Sequence, residues 1–140
     1  MKVLSLLQPW ATLVVMGLKT IETRSWSTNH RGPLLIHASL GRAGALVALE
    51  SPFDMYINNF DSLPFGAIIG QVNLDDVLRV EQLFFSAEEI NRLSLEERAF
   101  GDYSPGRYAW LLSDAKVFVR PIPIKGSLNL WNYSGPLSLR

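Results

Sequence analysis

Cysteine is absent from the 140-residue sequence, which excludes disulfides and thiolate-ligated metal sites. Long hydrophobic runs are absent too: the longest apolar stretch, residues 10–16, is far shorter than the ~20 residues of a transmembrane helix. The beginning of the chain, MKVLSLLQPW, lacks the small-residue cleavage site of a signal peptide. The two histidines, His30 and His37, lack metal-ligand spacing. We therefore expect a cytoplasmic protein with no membrane segment, no metal and no cofactor.

Net charge is also absent, but the charges are distributed unevenly. Residues 1–42 contain five basic side chains and one acidic, residues 43–102 contain three and eleven, and residues 103–140 contain five and one. If the two basic ends pack together, they form one basic surface, and a nucleic acid is the usual partner of such a surface. Scattered, solvated charge is the alternative, and composition alone does not decide between them.

The length and the composition, with 48% hydrophobic and 19% charged residues, are those of one globular domain over residues 1–140. Pro9 suits the start of a short helix that Gly17 ends. Two capping-box patterns, Ser86 with Glu89 and Ser94 with Glu97, predict two further helices. Alanine and leucine predict another helix over residues 41–50. Strands are predicted over residues 3–8, 20–26, 34–39, 66–80, 108–112 and 116–121, the last two as a pair joined through residues 113–114. These elements indicate a small α+β barrel.

The most informative segment is GLKTIETRSWSTNHR, residues 17–31, which sets fixed charges and an aromatic within a strand pattern. On a regular strand, Glu22, Arg24 and Trp26 share one face, and Lys19 lies at the turn before it. Arginine and lysine bind phosphate, and an indole can stack on a base. The pattern therefore favours an anionic, planar ligand such as a nucleotide. The alternative is a strand salt bridge between Glu22 and Arg24 beside tryptophans of the core.

The spacing Gly17-x-Lys19-x-x-Glu22-x-Arg24 after a short helix resembles the signature of the ASCH domain family. The similarity continues through LSLLQPWATLVVMGLKTIETRSWSTNHRGPLLIHAS, GAIIGQVNL, YAWLLSDA and IKGSLNLW, about two thirds of the chain, and is greatest to ASCH domains of transcription coactivators. The acidic range 51–102 is only partly covered and is predicted to hold a variable insertion. The resemblance implies a PUA-like β-barrel with short helices packed on its side, and a cleft lined by the signature.

The family resemblance implies binding of RNA or DNA, single-stranded or structured, or of a nucleotide or nucleoside. It also allows protein partners in a transcription or translation complex. His30, Arg31, His37 and Lys125 each have a structural or solvated alternative. Tyr103, Ser104 and Arg107 lie in a turn that approaches the same cleft. The predicted nucleic-acid-binding residues are Gln8, Trp10, Lys19, Glu22, Arg24, Trp26, His30, Arg31, His37, Ser39 and Lys125.

A hydrolase acting on a modified nucleoside or an RNA linkage, with Lys19 as its catalytic residue, is the alternative function. Some ASCH members are hydrolases, among them a small bacterial enzyme that deacetylates acetylated cytidine and a ribonuclease. In the deacetylase a threonine lies three positions after the signature lysine, where this chain has Glu22. The deacetylase activity is therefore not expected here. A ribonuclease would need an acid–base pair, for which Lys19 with Tyr103, Ser104 or His37 is a candidate.

Overall fold

The computed structural model describes residues 1–84 and 93–137 of the protein. Its strands are β1 (Lys2–Leu6), β2 (Ile21–Arg24), β3 (Gly32–Ala38), β4 (Ala67–Arg79), β5 (Tyr108–Pro123) and β6 (Leu130–Asn132). Within the described residues these strands form one sheet in the order β2-β5-β4-β3-β1-β6. β1 and β3 are parallel, and the other pairs are antiparallel. Because β1 pairs with β6 and β2 with β5, the two basic ends of the chain do pack together.

Helix α1 (Trp10–Val15) follows β1 and precedes β2 along the chain, and it packs across the sheet. It begins after Pro9, as the sequence predicts. Its C-terminus is a Schellman motif, in which Gly17 adopts a φ of +74°. The Gly17 N–H donates to Val14 O at 3.1 Å and the Leu18 N–H donates to Leu13 O at 3.0 Å. This ending turns the chain sharply, so that the residues of the signature follow directly on the helix.

Helix α2 (Leu95–Phe100) begins at the second of the two predicted capping boxes. The Ser94 hydroxyl accepts a hydrogen bond from the Glu97 N–H at 3.0 Å, which satisfies one of the free donors at the helix start. Both Glu97 and Phe100 face the interior. The first predicted box, Ser86 with Glu89, lies outside the described residues. The acidic range 51–102 contains β4 as well as α2.

The predicted helix over residues 41–50 is wrong. Most of this range forms turns, and only Val47–Leu49 forms a 3-10 turn. Gly44 approaches the backbone of Gln8 so closely that a Cβ would lie 2.0 Å from the Gln8 carbonyl oxygen. Ala48 is buried in the core, whereas Leu46 and Leu49 are 78% and 73% exposed and stay outside it. Two further 3-10 turns follow at Phe53–Met55 and Phe60–Ser62, and a fourth, Val80–Phe84, follows β4.

The predicted pairing of residues 108–112 with residues 116–121 is also wrong. Both segments belong to the single strand β5, and both pair with β4 rather than with each other. Asp114, at the predicted hairpin turn, has a φ of +52° and lies near a shift in register between β4 and β5. The residue therefore forms a local irregularity in a bent strand and not a chain reversal.

The main core lies between α1 and the inner face of the sheet. Its buried members come from α1 and from β1, β3, β4 and β5, with Trp110 at 0% exposure. A second cluster, which contains Leu13, Phe53, Phe60 and Phe100, joins α1 to the 3-10 turns and to α2. This second cluster fixes the segments that surround the signature residues.

Candidate functional site

The signature residues form a chain of ion pairs that runs from the interior to the surface. Lys19 is 1% exposed, and its ammonium donates to the Ile21 carbonyl oxygen and lies 3.5 Å from Glu22 Oε1. On the other side of the same carboxylate, Arg24 Nη1 donates to Glu22 Oε2 at 3.2 Å. The Arg24 side chain is 29% exposed, whereas that of Glu22 is 10% exposed. The signature thus holds Arg24 at the surface through a buried lysine and glutamate.

Glu97 completes this cluster and was not among the predicted site residues. Its Oε2 lies 3.9 Å from Lys19 Nζ. Its Oε1 accepts hydrogen bonds from the Thr20 N–H at 2.7 Å and from the Thr20 hydroxyl at 2.8 Å. The sequence indicated Glu97 only as a capping-box residue. The same residue therefore starts α2 and ties that helix to the signature.

Arg24 lines a cavity of about 360 Å³, which we call the arginine cavity. Two guanidinium groups, those of Arg24 and Arg107, lie in its wall together with the indole of Trp10. Glu22 lines it as well, although that carboxylate is already paired with Lys19 and Arg24. The Asp102 carboxylate also lines it and is paired with Arg107, and the rest of the wall is largely apolar, with Leu7, Phe53 and Phe100. The cavity thus combines cationic donors with an aromatic surface.

Arg107 is held in the arginine cavity by the backbone of β2 and by a carboxylate. Its Nη2 donates to Thr23 O at 3.0 Å, and its Nε lies 3.6 Å from Asp102 Oδ2. Hydrogen bonds from the Ser104 hydroxyl and backbone N–H, and then the Arg107 charge, lower the pKa of Asp102. The sequence signal for Arg107 was weak, because the turn that contains it is far from β2 along the chain.

Tyr103 lies behind the arginine cavity, against Gly101. Burial, and then the nearby charges of Glu97 and Glu22, raise the pKa of its phenol far above the ordinary value. Its hydroxyl is buried and has no hydrogen-bond partner within the described residues. Tyr103 therefore remains a neutral phenol at physiological pH.

A second cavity of about 910 Å³, which we call the histidine cavity, adjoins the first and is lined by His37, Ser39 and Lys125 among others. His37 is 2% exposed; its Nδ1 lies 3.0 Å from Ser5 Oγ and its Nε2 lies 2.8 Å from Ile124 O. These partners fit a neutral ring that donates from Nε2 and accepts at Nδ1. Burial lowers the pKa of His37, although the bond to Ile124 opposes the shift.

Gln8 and Trp26, two further predicted site residues, contact other parts of the protein. Gln8 is fully buried; its Oε1 accepts from the Thr12 N–H and its Nε2 donates to Pro64 O, both at 2.9 Å. Trp26 packs edge-on against Trp110 with 4.9 Å between ring centroids. The structure therefore brings neither side chain to the wall of the two cavities.

His30 and Arg31 lie in the turn before β3, away from both cavities. His30 Nε2 lies 2.9 Å from Pro33 O. Arg31 Nη2 donates to Asp76 Oδ1 at 3.2 Å. The structure thus brings together Trp10, Glu22 and Arg24 in one cavity and His37, Ser39 and Lys125 in the other, with Lys19 buried behind the first.

Neither a metal site nor a membrane span is found in the part of the chain that the structure describes. Over residues 1–84 and 93–137, no group of three or more histidine, cysteine, aspartate or glutamate side chains is arranged to hold a metal ion. No helix in those residues is long and apolar enough to cross a bilayer.

The family model of the ASCH domain matches residues 4–122, and the chain belongs to this family. Over 134 residues it is 31% identical to mouse activating signal cointegrator 1 and 30% identical to the human protein. Each alignment covers 91% of the chain and 21% of the relative, so the chain spans about a fifth of the length of these curated relatives.

Solved structures of the ASCH protein from Zymomonas mobilis have the same fold. The protein superposes with a TM-score of 0.52 and 22% identity, covering 87% of this chain and 72% of that chain. A point variant of that protein gives a TM-score of 0.54 and 23% identity over 88% of this chain and 73% of that chain. The predicted α+β, PUA-like fold class is confirmed.

Proposed function

We propose that this ASCH domain binds RNA or DNA, with a phosphate held in the arginine cavity and a base stacked on Trp10. The observation that carries the proposal is the pairing of two half-buried guanidinium groups with an indole in one concave site. Arginine can hold a phosphate through two parallel hydrogen bonds. Stacking of a base on an aromatic side chain contributes about 1–3 kcal/mol.

Both guanidinium groups are fixed before any ligand arrives. Glu22 orients Arg24, while Thr23 O and Asp102 orient Arg107. Less side-chain entropy is therefore lost when the phosphate binds. The packing of the two basic ends against each other supports the same ligand, since it brings Arg24 of one end and Arg107 of the other into one cavity.

The test is fluorescence anisotropy with labelled single- and double-stranded RNA and DNA at low salt. We expect binding by the wild-type protein, and a loss of about tenfold in affinity for Arg24→Met or Arg107→Met, the equivalent of one charged hydrogen bond. Arg120→Met is the matched control, because Arg120 is exposed on β5 and lines neither cavity. Circular dichroism checks that each variant is folded. If none of the four nucleic acids binds, the proposal is wrong.

A hydrolase centred on Lys19 is the alternative function, but the geometry supports it less well than it supports nucleic-acid binding. The Lys19 ammonium contacts Ile21 O and lies between the carboxylates of Glu22 and Glu97. The residue lines neither the arginine nor the histidine cavity, but a smaller one of about 140 Å³. A general base must come within hydrogen-bond reach of the proton that it removes. Incubation of the wild-type protein with modified nucleosides and labelled oligonucleotides tests this function, and product formation above a blank would favour it.

A further inference from the structure

The arginine cavity and the histidine cavity meet at two residues, Leu7 and Arg24, which line both. Leu7 is 38% exposed, and the Arg24 side chain is 29% exposed, so the junction is open to solvent. Arg24 uses Nη1 to bind Glu22, and no other hydrogen bond from its guanidinium is found within residues 1–84 and 93–137. A guanidinium carries five N–H donors, so Arg24 has donors left for a ligand at the junction.

The walls of the two cavities suit different parts of a ligand. The arginine cavity is lined by Arg24, Arg107 and Trp10, with the Glu22 and Asp102 carboxylates paired to the two arginines. The histidine cavity is larger and mainly apolar, with Phe65 and Leu128 near polar groups that include Ser39, Asn129 and the cation of Lys125. An apolar hollow with a few convergent polar groups is the usual form of a small-molecule pocket. A planar base with polar edges fits this description.

We propose that the two cavities together bind one dinucleotide step of a single strand, with Arg24 on the phosphate that links the two nucleosides. One base stacks on Trp10 in the arginine cavity and the next enters the histidine cavity between Phe65 and Leu128. This inference rests on the proposed function and specifies its ligand. Arg24 is the residue placed for the bridging phosphate because it alone, of the charged residues described, lines both cavities.

The nucleic acid must be single-stranded, because neighbouring bases of a duplex are stacked and paired and cannot enter separate cavities. Taking a base out of a duplex costs a few kcal/mol, and a single strand avoids most of this cost. Sequence-specific RNA recognition uses such unstacked bases. The geometry therefore favours single-stranded over double-stranded ligands.

The first experiment measures the dissociation constants of a nucleoside monophosphate, a 5′-phosphorylated dinucleotide, a single-stranded 10-mer and the same 10-mer in a duplex. Ribose and deoxyribose forms are compared. We expect the dinucleotide to bind at least about fivefold more tightly than the monophosphate, since a second stacked base contributes at least ~1 kcal/mol. The single strand should bind more tightly than its duplex.

The second experiment blocks each cavity separately. Leu128 is 88% exposed, so Leu128→Glu places a carboxylate at the histidine cavity without disturbing the core. The variant should bring dinucleotide affinity down to that of the monophosphate and leave the monophosphate affinity unchanged. Leu95→Glu is the matched control, because Leu95 is 86% exposed and lines neither cavity. Trp10→Ala should weaken binding of both ligands.

The outcomes separate this inference from the function on which it rests. A dinucleotide that binds no more tightly than the monophosphate, while the 10-mer still binds, overturns the two-cavity site and leaves nucleic-acid binding intact. Equal loss for Leu128→Glu and Leu95→Glu also overturns it. If monophosphate, dinucleotide and 10-mer all fail to bind, nucleic-acid binding itself is wrong.

Discussion

Lys19 brings its charge into the interior, where two carboxylates balance it. Removing one partner of a buried ion pair leaves the others uncompensated, at a cost of about 3–5 kcal/mol. We therefore expect Lys19→Met to lower the free energy of unfolding by about 3 kcal/mol, because Glu22 and Glu97 would both lose a cation. Urea unfolding followed by circular dichroism measures the change.

The matched control for Lys19 is Lys116→Met. Lys116 is 56% exposed and lies 3.8 Å from the exposed Asp114, so this pair contributes little. We expect a change within about 0.5 kcal/mol for the control. Equal stability of the two variants would mean that the cluster around Lys19 is not a structural ion-pair network.

His37 makes stability depend on pH. Its ordinary pKa is 6.5, and burial lowers the pKa in the folded protein. Between the two values the unfolded chain binds more protons than the folded one, so acid favours unfolding. The stabilisation is present above pH 6.5 and is lost as the pH falls through the lower, folded value. We expect the wild-type free energy of unfolding to decrease below pH 6.5 and His37→Gln to lack this component.

His30 provides the comparison for this measurement, because the other histidine lies in an open turn. His30→Gln is the matched imidazole-to-amide substitution against which the His37→Gln unfolding curves are compared. A His37→Gln variant that shows the same pH dependence as the wild type would exclude His37 as the responsible group. The readout is urea unfolding at a series of pH values on either side of 6.5.

Among the elements, β4 depends on a glycine where α1 crosses it. A Cβ on Gly70 would lie 2.3 Å from Lys116 O and 2.6 Å from the Val15 side chain. The backbone of β5 cannot withdraw without breaking the sheet, so Gly70→Ala should lower the free energy of unfolding by about 1–3 kcal/mol. Gly41→Ala is the control, since its Cβ would meet only the tip of the half-exposed Leu7 side chain.

Thermal unfolding of both glycine variants tests this contact. A melting temperature of Gly70→Ala equal to that of Gly41→Ala would show that α1 and β5 can move apart. The sequence predicted the strand that contains Gly70, but not the close approach of β5 and α1 to this glycine. Which backbone approaches Gly70 depends on the path of α1 and on the register of β5, and neither is determined by the sequence around residue 70.

The elements show where local patterns suffice and where they fail. Gly17 ended α1 and Ser94 began α2 as expected, because both effects act within one turn of helix. Ser113 and Asp114 resembled a hairpin turn, yet β5 continues through them. A polar pair with a positive φ occurs both in turns and in strand irregularities, and the partner strand decides between them.

At the scale of the whole molecule, the site is built from three distant parts of the chain. The signature of residues 17–24 was visible as a short spacing, and the pairing of Glu22 with Arg24 followed from strand alternation. Glu97 lies in α2 and Arg107 immediately precedes β5. Only the fold brings Glu97 to Lys19 and Arg107 to Thr23. The sequence therefore indicated Trp10, Glu22 and Arg24 of the arginine cavity, whereas the position of Arg107 in its wall depends on tertiary contacts.

The zero net charge of the molecule makes binding depend on these few local cations. Each neutralised phosphate of a single strand contributes a slope of about −0.7 to the logarithm of affinity against the logarithm of salt concentration. One phosphate held by Arg24 and Arg107 predicts a slope of about −0.7 for the wild type, and a slope closer to zero for Arg24→Met or Arg107→Met. Arg120→Met should keep the wild-type slope. Anisotropy titrations at several salt concentrations measure it, and identical slopes in all four proteins would place the phosphate contacts outside the arginine cavity.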